Sequence, residues 1–212
     1  MKLDEAVQII SGFKDNNLKL KLGELKDEIV GKSGNEIPQQ NEVFEAALII
    51  KKLSSQIDEI VHASGIVNCL PKILVKGEYV ENLSLASGAE GEGIDLVTNY
   101  RIAEFKFSQW QNGAANGMRK RQVFADCVNL MLHSTSKNKE LYVIGAETIK
   151  KYFQSRRASW RKVLSKSGGL DKRLEKHLSE NKIDGEFLND IYSISNVEIF
   201  EIKNFLNKPE LY

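Results

Sequence analysis

The run "GIDLVTNYRIAEFKF", Gly93 to Phe107, constrains the fold more than any other part of the chain. Two short segments rich in β-branched and aromatic residues flank Asn99-Tyr100, the pattern of strand, tight turn and strand. With strands at 94–98 and 101–107, Thr98 faces Arg101, Val97 faces Ile102, Leu96 faces Ala103 and Asp95 faces Glu104. Directly opposed residues project to one face, with Cβ atoms about 4.5–5.5 Å apart. Lys106 lies two residues beyond Glu104 and shares that face. The other face carries Ile94, Leu96, Ala103, Phe105 and Phe107 and reads as core.

The rest of the chain supplies elements to pack on such a hairpin. Residues 3–13 and 19–30 read as short helices in a charged arm. The turn-rich "GKSGNEIPQQ" follows; its Gly31-Lys32-Ser33 is not a phosphate loop, because Lys26 stands where that motif needs a glycine. From Gln39 to Ala63, Ala46, Ile50, Leu53, Ile57 and Ile60 recur at three or four residues and predict one amphipathic helix. "KILVKGEYV" and "ENLSLASG" each supply a strand. "SQWQNGAANG" is a loop by its turn residues, either a lip over a site or a simple connection. Met118 to His133 is a helix with a wide apolar face, "ELYVIG" a buried strand, and helices follow at 146–156, 158–166, 170–181 and in "FLNDIY". "VEIFEI" closes the chain as a strand. The expected fold class is α/β, a mixed central sheet between helices with a C-terminal helical lobe. The expected divisions are a helical arm at 1–35, a core at 36–146 and a basic lobe at 147–212 packed on that core.

Composition excludes several classes. No apolar run spans a bilayer, and "MKLDEAVQII" lacks a signal-peptide pattern, so an intracellular, cytoplasmic location is expected. Cys69 and Cys127 are far apart, and neither a zinc cluster nor a disulfide framework is expected. His62, His133 and His177 are isolated and read as structural. The net charge of +1 hides an asymmetry: residues 1–105 carry 11 basic against 17 acidic residues, and residues 106–212 carry 19 against 12. Residues 150–182 alone hold 11 basic and 3 acidic residues, a balance that suits a polyanionic partner or a solvated helix face.

Two opposed acids repel, and burial raises that cost. A divalent cation between them reverses the sign, and hard oxygen donors with open water positions suit Mg²⁺. Such a metal polarises a phosphoryl oxygen and lowers the pKa of bound water. Lys106 is placed to position the water or to stabilise charge on the phosphate. The alternative is a surface ladder in which Glu104 pairs with Lys106 in solvent and Asp95 ends a turn.

Asp95, followed by Glu104-Phe105-Lys106 on the next strand, resembles the signature of the PD-(D/E)xK nuclease superfamily, with its restriction-endonuclease-like fold. The resemblance covers Glu45 to Gly145, about half the chain. It implies a core of helix, three strands, helix and strand. The proline that often precedes the first acid is replaced by Ile94. The resemblance implies that Asp95 and Glu104 bind the metal with the Phe105 carbonyl. It further implies that Glu45, or Glu42 as second choice, adds an acid from the first helix, and that Lys106 orients the nucleophilic water. The resemblance also implies that Gln122, in "RKRQVFADCVNLML", lines the site. Glu45 and Glu42 equally fit a helix N-terminus, where acids are favoured, and Gln122 equally fits the edge of a packed helix.

The function these readings imply is metal-dependent hydrolysis of nucleic acid, a DNA endonuclease using Mg²⁺, with Mn²⁺ able to substitute. Arg119, Lys120 and Arg121, with Arg156, Arg157, Arg161 and Lys162, are the candidate phosphate contacts. Trp160 stacks on a base or packs inward. Two active sites are needed to cut both strands at once, which a homodimer supplies. The alternative is a catalytically inactive protein of the same fold that grips nucleic acid.

Overall fold

The hairpin forms as expected. In the computed structural model of the chain, β2 (Leu96–Thr98) and β3 (Arg101–Lys106) pair antiparallel, with Leu96 opposite Ala103 and Val97 opposite Ile102. The structure describes residues 1–14, 17–32, 36–37, 39–54, 56–85, 93–108 and 114–207. The turn at 99–100 is not built on left-handed residues; among the described non-glycine residues only Lys182 and Asn196 have positive φ. Thr98 closes it instead. Its hydroxyl accepts from the backbone N–H of Arg101 at 2.8 Å and of Tyr100 at 3.0 Å. The Asn99 side chain reaches back to the preceding loop, accepting from Tyr79 N–H at 2.9 Å and donating to Gly77 O at 3.2 Å.

The chain divides into two compact units, Met1–Asp58 and Glu59–Tyr212. The first contains α1 (Leu3–Lys14), α2 (Leu18–Ile29) and α3 (Asn41–Ser54), with α1 packed on α3. Buried Ala6 on α1 and Ala46 on α3 are the small residues that allow close helix approach. Asn17 caps α2 by accepting from Leu20 N–H at 3.2 Å.

The second unit is an α/β structure with a five-stranded mixed sheet flanked by helices. After α4 (Ile57–Ile73) come β1 (Val80–Leu83), β2, β3, α5 (Ala114–Leu132) and β4 (Asn138–Val143). Then come α6 (Ala146–Phe153), α7 (Trp160–Leu164), α8 (Leu170–Glu180), α9 (Leu188–Ile194), β5 (Val197–Glu201) and a 3-10 turn at Ile202–Phe205. The strands lie in sequence order. β1, β2 and β3 are antiparallel; β3, β4 and β5 are parallel. The parallel pairs need crossovers, which α5 and the α6–α9 segment supply. The residues from Leu141 to Ile144 are buried throughout, the continuous apolar run of a strand covered on both faces.

Two cores lie on the two faces. Leu96, Ala103, Phe105 and Tyr142 pack with Ile66, Cys69 and Ile73 of α4. Ile102, Leu141 and Val143 pack with Phe124 and Val128 of α5 and with Phe153, Trp160, Leu174 and Ile191 of the later helices. Trp160 is fully buried and donates its indole N–H to Gly185 O at 2.9 Å, so it packs inward and offers no face to a base. Both cysteines are buried and unpaired.

Several boundaries differ from the sequence reading. The stripe from Ala46 to Ile60 belongs to two helices, α3 and α4, and its outer members Leu53, Ile57 and Ile60 are exposed. Helix α4 runs on to Ile73, so the start of "KILVKGEYV" is helix, not strand. Ile66, Cys69 and Ile73 recur at helical spacing and bury against the sheet. Among the described residues, only β1 stands where two strands were expected before β2; residues 86–88 of the second expected strand lie outside the described set. Helix α5 begins at Ala114, inside the expected loop, whose residues 109–113 lie outside the described set. Ile94 packs with Ile102, not with Leu96, because it precedes β2 and escapes the strand's alternation.

Candidate active site

Because helices cover both faces of the sheet, the polar face of the hairpin is not a surface. Glu104 is 4% exposed. That rules out the solvent ladder as the setting for Glu104 and Lys106 and makes every charge there consequential.

Asp95 sits one residue before β2. Its Oδ2 accepts from the Phe105 backbone N–H at 2.8 Å, which ties it across the hairpin to β3. Its Oδ1 is 3.3 Å from Nε2 of His62 on α4. On β3, Lys106 Nζ donates to Glu104 Oε2 at 3.2 Å. The same ammonium lies 3.3 Å from Asp126 Oδ2, a carboxylate on α5. That contact is an ion pair outside hydrogen-bond geometry: Asp126 Oδ2 is a buried oxygen with no hydrogen bond.

Two carboxyls therefore pair with one ammonium, and a third, Asp95, lies near enough to act on both partners on β3. Burial pushes the Glu104 carboxyl up to about 9, and the neighbouring Asp95 and Asp126 add to the rise; Lys106 opposes it without cancelling it. Asp126 is raised by burial too. Lys106 is raised above its ordinary value by Asp126, Glu104 and Asp95, which together outweigh its own burial. Glu104, Asp126 and Lys106 titrate together. The site is over-acidic, and at neutral pH it keeps a proton for want of a second positive charge.

Asp126 and His62 are the site groups that the sequence reading missed. Asp126 had a signal: it interrupts the apolar face of α5, between Val123-Phe124 and Cys127-Val128, as Asp95 and Glu104 interrupt the hairpin. His62 had none, since its partner is 33 positions away in sequence.

The other candidates lie as follows. Glu45 is on α3 in the first unit, exposed, with its carboxylate 3.4 Å from the Met1 ammonium; Glu42 is in the first turn of the same helix. Gln122 is exposed on α5, one turn before Asp126. Arg121 is exposed, and Lys120 Nζ stands 5.5 Å from the centre of the Tyr152 ring. Arg156, Arg157 and Lys162 are exposed. Arg161 lies over the Trp160 ring at 4.4 Å and pairs with Glu175 at 3.2 Å.

Asp95 and Glu104 are oxygen donors of the kind hard cations take. Among the described residues, no three side chains of His, Cys, Asp or Glu are gathered in the arrangement of a metal site. Comparison with protein-family models, with curated proteins and with solved structures finds no match for this chain.

Proposed function

We propose that this chain hydrolyses phosphodiester bonds of nucleic acid, with DNA as substrate and Mg²⁺ or Mn²⁺ as cofactor, on a restriction-endonuclease-like core. One observation carries the reading. Lys106 is held beside Glu104 and Asp126, with Asp95 tied to the same strand, in a buried cluster that has more carboxyls than it can neutralise. The succession α4, β1, β2, β3, α5, β4 supports the core, being helix, three strands, helix and strand.

The donor set fits a divalent cation. Asp95 and Glu104 supply two carboxylates, the Phe105 carbonyl follows Glu104 in the chain, and Mg²⁺ asks for only one or two carboxylates because it keeps several waters. Such an ion supplies a polarised phosphoryl oxygen and an acidified water. Lys106 stands next to those carboxylates with a proton it holds firmly, which suits it to orient the attacking water and to meet charge on the phosphate. His62 and the Phe105 N–H fix the Asp95 carboxylate. Arg121 with half-buried Arg119 and Lys120 on α5, and the exposed basic residues of 156–162, are candidates to receive the phosphate backbone.

The expected result is Mg²⁺-dependent nicking of plasmid DNA that is lost in Asp95→Ala and in Lys106→Ala. Cleavage that survives both substitutions removes this site from the reaction. A second reading, a binding protein without turnover, has one observation in its favour: both Asp95 oxygens already have protein partners. It predicts salt-sensitive DNA binding indifferent to chelator and no cleavage with any divalent ion.

A further inference from the structure

Lys106 needs only one carboxylate to be neutralised, and Glu104 provides it within the same strand at 3.2 Å. The structure supplies a second from a different layer. Asp126 projects from α5 and brings Oδ2 to 3.3 Å from Nζ. Placing a carboxyl there is costly. Its helix face is otherwise Val123, Phe124, Cys127 and Val128, all buried, and Oδ2 receives no hydrogen bond in return. What the carboxylate gains is the ion pair with Lys106, so apolar packing does not account for it.

Its position does. With Asp126 absent, Glu104 is the one ion-pair partner left to the ammonium among the described residues. With Asp126 present, the ammonium is shared between two acids from different layers, 3.2 Å from one and 3.3 Å from the other, so it is not committed to Glu104 alone. Resting on the phosphodiesterase reading above, we infer that Asp126 is a positioning residue: it holds the Lys106 ammonium from the α5 side and thereby frees Glu104 to bind a divalent cation. In this role Asp126 acts through Lys106. The anchor also fixes where the ammonium points, because one end of the pair is on the sheet and the other on the helix covering it.

The test uses the full chain with Mn²⁺ as probe. Mn²⁺ uptake is followed by calorimetry, and plasmid nicking at saturating Mn²⁺ is followed as kcat and KM. Asp126→Asn keeps the shape and removes the charge. It is expected to weaken Mn²⁺ binding and lower kcat by about tenfold or more, the usual scale for an outer-shell partner, with KM for plasmid unchanged. Asp126→Glu restores the carboxylate and is expected to recover most of both losses. A merely structural role predicts a lower melting temperature with Mn²⁺ affinity and kcat intact, and that outcome overturns the inference. So does a glutamate variant that is no better than the asparagine one. Should Asp126→Asn fail to fold by circular dichroism, Asp126→Glu decides alone: Mn²⁺ affinity within about threefold of wild type supports the role, and a tenfold loss overturns it. Wild-type protein that neither takes up Mn²⁺ nor nicks DNA overturns the proposed function and this inference with it; uptake and nicking left unchanged by Asp126→Asn overturn the inference alone.

Discussion

Arg101 holds Glu78 with both edges of its guanidinium: Nε donates to Oε1 at 2.7 Å and Nη2 to Oε2 at 2.8 Å. Its remaining nitrogen donates to Glu140 Oε2 at 2.7 Å and to the Tyr142 hydroxyl at 3.2 Å. Thr98 and Tyr142 donate their hydroxyl protons to the two carboxylates, both at 2.6 Å. The network joins the loop before β1, the hairpin turn and β4, and it sits three residues from Glu104 on β3. It is a buried ion triad, and such triads are unforgiving when one member is removed.

Arg101→Met should therefore destabilise the fold by about 3–5 kcal/mol, since it leaves Glu78 and Glu140 buried and unpaired. Adding Glu78→Gln and Glu140→Gln to Arg101→Met should recover part of the loss, because the stranded charges go with it. Urea unfolding of the single and triple variants checks this. Equal stability of Arg101→Met and wild type means that water reaches the triad.

The acid cluster predicts an unusual pH dependence. The Glu104 carboxyl is raised from 4.5 to about 9 in the fold. Between those values the folded state holds a proton that the unfolded state has lost, so stability falls as pH rises across that window. Asp126 is raised from 3.8 and acts in the same direction. Lys106, also raised, matters only above its ordinary 10.5 and lies outside the window. The melting temperature of the metal-free protein should drop from pH 5 to pH 9, and Glu104→Gln should flatten the slope. On the phosphodiesterase reading, Mg²⁺ should raise the melting temperature more at pH 8.5 than at pH 5.5, because the ion replaces a proton that alkaline solution removes. A slope that persists in Glu104→Gln assigns the proton to another group.

The hairpin was legible because its signals are local. Alternation fixes faces, the turn length fixes register, and acids within apolar strands stand out; Asp95, Glu104 and Lys106 came from these alone. The helix boundaries were less legible because apolar recurrence does not say which helix a residue belongs to. Leu53 and Ile57 keep helical spacing yet fall on α3 and α4. Register between distant elements was not legible at all. Nothing near His62 in sequence marks it as a neighbour of Asp95, and only the seating of α4 on the hairpin brings them to 3.3 Å. Asp126 stood between. Its anomaly was visible on the helix, but its partner depended on how α5 crosses β3.

On the phosphodiesterase reading, phosphate contacts on α5 carry a salt signature. Each basic residue that neutralises a phosphate contributes about 0.9 to the dependence of log K on log salt for duplex DNA. Replacing Arg119, Lys120 and Arg121 together by alanine should weaken DNA binding and lower the slope by about 2–3. Replacing Arg161, already paired with Glu175 and seated on Trp160, should change the slope by less than one. Fluorescence anisotropy from 50 to 300 mM salt measures both (the salt range is about that over which such binding collapses). Identical slopes for the triple variant and wild type place the DNA elsewhere.

Gly65 tests the seating of α4. A methyl group at this position overlaps the ring of Phe107. That ring stacks on Phe105 at 6.4 Å between centroids and meets the His62 imidazole edge-on at 6.1 Å, so it is flanked on two sides. Gly65→Ala gains about 1 kcal/mol of helix propensity. Overpacking costs about 1–3 kcal/mol and wins when the obstructing group is held on two sides. The variant should be less stable than wild type in urea, and on the phosphodiesterase reading its nicking rate should fall as His62 and Asp95 are pushed apart. Phe107→Leu in the Gly65→Ala background makes room and should restore stability non-additively. If Gly65→Ala is instead more stable than wild type, the ring moves freely and α4 is not locked to β3 at this point.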